Sequence, residues 1–436
     1  MIRMAILAAT AALAVPQPVA AQQAAAPSPE TAQTAQTERT AIELRAQQVV
    51  AVINGEIEAE EVFSDSFFDD VPPDRLRAIS QQLTSQFGAA ISVETLEPVS
   101  GSRARIEIRM ERAIAGGGIA IDPAAQNRGS ELLLRGFEPV DDSAEKICAD
   151  LGALPGDANA LFARLDRLDQ PVLAVNAERQ LALGSAFKLY VLSALAEAVE
   201  AGDFAWDEVV ALTEKSFPSG QMQDWPQGAP VTLHTLATMM ISISDNTATD
   251  QLIEVLGRER IEGELIVSGN SDPSRTLPFL NTRQLFALRG VSDETIERYR
   301  AADNAGQRAI LAGLREGDVS EQRLQEVFSG GTPGAIDIEW FASPRDLAAL
   351  LDRLAEHETA RGVIAVNTHL PDRIVSNWEY VGYKGGSEPG VLNLTWLLRD
   401  EAGHYWIATV GWNDPDAAVE LDTLELIAQR ILALPR

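Results

Sequence analysis

Two periodicities divide the chain. Ile42, Leu44, Val49, Val50 and Ile53 recur at helical spacing and predict a helix that stops at Asn54-Gly55. Leu76, Ile79, Leu83 and Phe87 predict another, ended by Gly88. The period then drops to two. Ala104, Ile106, Ile108 and Met110 alternate with Arg103, Arg105, Glu107, Arg109 and Glu111, the pattern of a half-buried strand. Ile119/Ile121 and Leu132 to Leu134 predict further strands, so residues 39–139 read as a small α+β domain. From 150 to 436, helical and strand patterns alternate. Gln170 to Ala177 and Arg179 to Leu183 predict one hairpin. Val391 to Leu398 and His404 to Trp412 predict another around Asp400-Glu401-Ala402-Gly403. Leu421 to Leu434 predicts a last amphipathic helix. Strands at both sequence ends of this region, with helices between them, predict one sheet built from both ends of the domain.

The first residues follow neither period. Arg3 precedes an apolar stretch from Met4 to Val15, and Val19-Ala20-Ala21 offers small residues at a cleavage point. Residues 1–21 are expected to be a secretory signal peptide, which places the mature chain in the periplasm or outside the cell. Residues 22–38, rich in Ala, Gln, Thr and Pro and without a large apolar residue, are expected to be a flexible linker. No later apolar run is long enough for a membrane helix. Helices followed by a curved antiparallel sheet resemble the small cone-shaped fold of nuclear-transport-factor-2-like (NTF2-like) domains. No acid–base constellation stands out in 39–139, so this part is expected to be an accessory domain.

Composition narrows the chemistry. At 46% apolar and 23% charged residues the 436-residue chain is ordinary globular protein, which excludes bulk disorder. A formal net charge of −29 argues against nucleic-acid or anionic-lipid partners. The single Cys148 excludes an internal disulfide and a cysteine-cluster metal site. His234, His357, His369 and His404 are scattered, so neither a metal nor another cofactor is expected.

Gly184-Ser185-Ala186-Phe187-Lys188 sits where a strand ends and a helix begins, with Leu189, Leu192, Leu195 and Val199 on one stripe and Gly202 closing it. Ser185 and Lys188, three apart, share a helical face. A serine hydroxyl needs a base, and an amine one turn away can serve if burial or nearby positive charge lowers its pKa. Alone, the spacing also fits a capping serine with a solvated lysine. Ser244-Asp245-Asn246 follows a helix carrying Leu233, Leu236, Met239 and Met240; alone it reads as a polar turn. Lys384-Gly385-Gly386-Ser387 opens the terminal hairpin and lets backbone approach a ligand closely; alone it is a glycine-rich turn.

Together, in this order, the three segments resemble the S-x-x-K, S-D-N and K-T-G motifs of class A β-lactamases and penicillin-binding proteins, over about residues 150–436. The resemblance implies a class A β-lactamase-like α/β (α+β) fold: an antiparallel sheet beside an all-helical subdomain. It implies a serine hydrolase whose small-molecule substrate is a β-lactam, an ester or a cell-wall peptide. By it, Ser185 is the acylated nucleophile, Lys188 its proton acceptor and Ser244 a relay to the leaving group. Asn246 holds the substrate amide, and Lys384, Gly386 and Ser387 bind the substrate, with an oxyanion hole at the Ser185 and Ser387 amides. Oligomeric state stays open.

Three departures bear on function. The glutamate that activates deacylating water in class A enzymes falls within Glu-x-x-Leu-Asn. The matching segment is Leu277-Pro278-Phe279-Leu280-Asn281, so Leu277 stands where that glutamate belongs. Glu262, Glu264 and Asp272 lie nearby in sequence. Gly385 replaces the threonine of the third motif. A helical insert over about 283–335 carries Leu285, Leu288, Ile296, Tyr299, Ile310, Leu311, Leu314, Leu324 and Val327, either as a surface bundle or as a lid over the cleft. Either another group activates water or the acyl-enzyme turns over slowly, which keeps two alternatives open: a D-Ala-D-Ala peptidase or esterase trapped by β-lactams, and a sensor for which acylation is the signal.

Overall fold

The structure, a computed structural model, describes residues 29–140, 142–314, 319, 322–324, 331 and 333–436. The expected signal peptide, the first part of the linker and Val327 of the insert lie outside the described residues. The amino-terminal unit places α1 (Pro29–Ile53), α2 (Ala59–Val62), α3 (Asp65–Asp70) and α4 (Pro73–Phe87) against one antiparallel sheet. Its strands are β1 (Ala90–Pro98), β2 (Arg103–Met110), β3 (Ala113–Asp122) and β4 (Arg128–Pro139), in that spatial order. β2 alternates as its pattern predicts: Ala104, Ile106, Ile108 and Met110 are buried while Arg103, Arg105 and Glu107 are exposed. α1 begins at Pro29, so residues 29–38 are helical where a flexible linker was expected.

In the second unit α5 (Ala144–Ala153) precedes β5 (Asp157–Arg164), β6 (Leu173–Val175), β7 (Leu181–Ala182) and α6 (Lys188–Glu200). Then come β8 (Val209–Ala211), β9 (Pro230–Thr232), α7 (Leu233–Ser242), α8 (Asn246–Leu256) and α9 (Arg258–Val267). Ile147 and Leu151 of α5 pack with Trp412 and Ile431, so this unit starts before residue 150. The insert contributes α10 (Thr282–Val291), α11 (Asp293–Ala301) and α12 (Asn304–Gly313). β10 (Phe341–Ala342), β11 (Tyr380–Glu388), β12 (Val391–Arg399) and β13 (Tyr405–Asn413) follow, and the helix Leu421–Leu432 ends the fold.

The main sheet is antiparallel, in the order β11-β12-β13-β5-β6, and so is built from both ends of the domain as expected. The predicted hairpin over 170–183 does not form. β6 pairs with β5, whereas β7 leaves the sheet and pairs with β10. β5 escaped sequence reading because Ala158 to Ala163 are all buried, and a strand covered on both faces shows no alternation. α6 is buried from Lys188 to Ala196 rather than along one stripe, which makes it the central helix of the helical layer.

Candidate active site

Ser185 lies on a tight turn between strand and helix. Gly184, at φ +50°, turns the chain out of β7, and Gly184–Phe187 form a 3-10 turn that runs straight into α6. The Phe187 ring stacks on Trp340, centroids 3.6 Å apart, and ties the turn to the segment before β10. β11 passes the same turn so closely that a Cβ at Gly386 would lie 2.2 Å from Leu183 O and 2.3 Å from the Ser185 nitrogen. Only glycine fits there. A Cβ at Gly184 would lie 3.1 Å from the Ser387 nitrogen, so the amides of Ser185 and Ser387 are close neighbours.

The Lys188 amine bonds to the second motif. Nζ lies 2.7 Å from Ser244 O, 3.0 Å from Ser244 Oγ and 2.7 Å from Asn246 Oδ1. Lys384 reaches the same hydroxyl from β11, its Nζ 3.1 Å from Ser244 Oγ. Ser244 holds a left-handed backbone, φ +57°, an uncommon conformation for serine that presents its hydroxyl to both amines. Asp245 secures this turn. Its carboxylate accepts from Gln221 N at 2.7 Å and Met222 N at 2.9 Å, and caps α8 through Ala248 N at 2.9 Å. Ser219 Oγ donates to Ser244 O at 2.7 Å, and Asn246 Nδ2 donates to Phe217 O at 3.0 Å.

Two buried amines on one hydroxyl repel each other and lack water. Burial, and then the Lys384 charge, hold the Lys188 pKa well below the ordinary lysine range. Burial alone brings Lys384 down to about 7. As a neutral amine Lys188 has two N–H donors, matched by Ser244 O and Asn246 Oδ1. Its lone pair is then open to a proton from a hydroxyl.

Ser185 divides two cavities. One, of about 370 Å³, is bounded by Ser185, Ser244, Lys384, Ser387, Tyr383 and His369. The other, of about 390 Å³, is bounded by Ser185, Asn246, Ser387, Glu339, Trp340 and Glu388. Of the predicted site residues, only Lys188 borders neither; it lies beneath, fully buried. The missing threonine at 385 has a local explanation. A Cβ there would lie 2.1 Å from Tyr383 Oη, so the tyrosine hydroxyl fills that space, and burial pushes its pKa up and keeps it protonated.

Tyr383, His369, Glu339 and Glu388 are site residues that sequence reading missed. Tyr383 and Glu388 flank the third motif and could have been found from that position. No local pattern marks the other two. Leu277 borders a third cavity, with Arg300, Asp337 and Glu339, the last of which also borders the second, and packs against the main core. The nearby carboxylates are engaged elsewhere. Glu262 bonds Phe279 N and Arg308, Glu264 bonds Ser193 and Arg353, and Asp272 accepts from Ser274. Among the described residues no group of three His, Cys, Asp or Glu could hold a metal ion, and no helix is long and apolar enough to cross a membrane.

The family model described as "Beta-lactamase enzyme family" matches residues 143–432. No curated protein matches the chain. Among solved structures the chain is similar to a beta-lactamase from Sphaerobacter thermophilus, with 22% identity, 66% of this chain and 94% of that one covered, and a TM-score of 0.45. It is also similar to a class A beta-lactamase from Bacteroides cellulosilyticus, at 17% identity, covering 67% and 98%, TM-score 0.45. A third is PBP-A, at 17% identity, covering 66% and 93%, TM-score 0.44.

Proposed function

The chain belongs to the beta-lactamase enzyme family, and from that premise we propose that it is a periplasmic serine hydrolase that opens β-lactam amides through an acyl-serine on Ser185. Family membership makes it a hydrolase of the beta-lactamase type with a small-molecule substrate. The observation that carries the finer reading is the convergence of Lys188 and Lys384 on Ser244 Oγ, at 3.0 and 3.1 Å, beside Ser185.

In this reading Lys188 takes the Ser185 proton, after its amine rotates or through one water, and Oγ bonds to the lactam carbonyl carbon. The oxyanion lies between the Ser185 and Ser387 amides, where losing one donor costs on the order of 3 kcal/mol. The ring carbon–nitrogen bond breaks as Ser244 delivers a proton to the leaving nitrogen, and Lys188 restores it. Asn246 bonds the substrate amide, and protonated Lys384 attracts the substrate carboxylate. A fluorescent penicillin should label the wild-type chain and leave Ser185→Ala unlabelled; equal labelling of both would show that the nucleophile lies elsewhere.

A second reading is favoured by the leucine at 277 and its place in another cavity. It is a D-Ala-D-Ala peptidase or esterase that β-lactams acylate and leave slowly. Turnover of nitrocefin against a D-Ala-D-Ala peptide and a short p-nitrophenyl ester separates the two. Export rests on the pattern of residues 1–21, and amino-terminal sequencing of the exported chain should begin at Gln22.

A further inference from the structure

The cavity on the α10 side of Ser185 has a carboxyl wall that the acylation step leaves unused. Its 390 Å³ holds on the order of ten water molecules. Ser185, Asn246 and Ser387 border it, as do Glu339 and Glu388. Glu388 ends β11 and emerges on the same strand face as Lys384 and Gly386, because alternate residues share a face. Its side chain is 9% exposed and that of Glu339 is fully buried.

Arg289 of α10 lies between the two carboxyls. It donates to both oxygens of Glu388, at 2.8 and 2.7 Å, and to Glu339 Oε1 at 3.1 Å. It also donates to Ala335 O at 3.1 Å and Ile338 O at 2.9 Å. One guanidinium faces two buried carboxyls. Burial, and then Glu388, raise the Glu339 pKa well above the usual carboxylate range, which favours its protonated form. Glu388, opposite Arg289, is next in sequence to the Ser387 amide. Leu277 has no side-chain oxygen to offer.

We propose that the Glu339–Glu388 pair, held by Arg289, is the base that takes a proton from the water that releases the acyl group from Ser185. The assignment rests on the acyl-serine reading above. A water in the cavity gives a proton to Glu388 as its oxygen bonds to the acyl carbon. The tetrahedral oxyanion forms at the Ser185 and Ser387 amides. It collapses by breaking the carbon–Oγ bond, and the proton on Glu388 returns through water to Ser185 Oγ. The products are the carboxylic acid and free serine, with no other reactant. Glu339, protonated beside Glu388, donates to it and keeps it in place.

The test is intact-mass spectrometry of the full chain after mixing with benzylpenicillin, for wild type, Glu388→Gln and Glu339→Gln. The adduct should still form in both variants. It should survive about 100-fold longer in Glu388→Gln, the lower range for loss of a general base, and be prolonged less in Glu339→Gln, whose amide still donates to Glu388. Hydroxylamine, a nucleophile that needs little base assistance, should restore release. Glu388→Asp keeps the charge opposite Arg289 and therefore the fold, and should lengthen the lifetime about tenfold. Decay at the wild-type rate in Glu388→Asp, and in Glu388→Gln if that variant folds, would overturn the assignment. An adduct that never forms on wild type would instead overturn the acyl-serine reading.

Discussion

Replacing Lys384 by methionine removes a burial cost whose size depends on pH. Burial brings this amine from its ordinary 10.5 to about 7 in the folded chain, a difference of about 3.5 units. At ~1.36 kcal/mol per unit the folded state bears about 5 kcal/mol below pH 7, where both states are protonated. Between pH 7 and 10.5 the unfolded chain binds a proton that the folded chain has lost, so stability rises with pH. Above 10.5 the cost is gone. The variant lacks this dependence, while the bonds that Lys384 makes to Ser244 Oγ and Gly385 O are lost to it at every pH. Its stability relative to wild type should therefore fall by about 2–3 kcal/mol between pH 6 and pH 9. Lys188, whose pKa Lys384 also lowers, is relieved in the same direction. Urea unfolding of both proteins at the two pH values measures the difference. An unchanged gap between variant and wild type would refute the claim that Lys384 is held as a weakened base.

Gly386→Ala forces a methyl group to within 2.2 Å of Leu183 O. It should lose about 1–3 kcal/mol in thermal unfolding and about 100- to 1000-fold in acylation rate by stopped flow; wild-type acylation would mean that the close approach does not shape the site. Arg430, 2% exposed, bonds Asp142 at 2.6 Å and Asp150 at 2.7 Å and ties the terminal helix to the segment between the two units. Arg430→Ala leaves Asp142 buried without its partner and should lower stability by about 3 kcal/mol or more; an unaltered denaturation midpoint would contradict this.

What the sequence discloses follows from how far each signal reaches. β2, α4, the terminal hairpin and the last helix repeat a period within a few residues, and they are visible without the fold. The three motif segments are visible too, because each combines a chemical residue with a local turn: Gly184 before Ser185, Ser244 between two helices, Gly386 beside Lys384. A period of two marks a strand's faces and not its partner, which is why residues 170–183 read as a hairpin while β6 and β7 pair elsewhere. β5 lacks even the period. The Arg289–Glu339–Glu388 cluster joins α10, the segment before β10 and the end of β11, across sequence separations of 50 and 99. No window along the chain contains it. The bond from Lys188 to Asn246 is likewise a matter of packing, since no sequence window joins the two.

The most direct measurement of the central claim is peptide mapping by mass spectrometry after brief exposure to a penicillin. One modified peptide is expected, containing Ser185 and heavier by the whole intact penicillin, in a chain whose Lys188 and Lys384 are unmodified. An adduct mapped to any other residue, or β-lactam consumed by a chain in which Ser185 has been replaced, would contradict it.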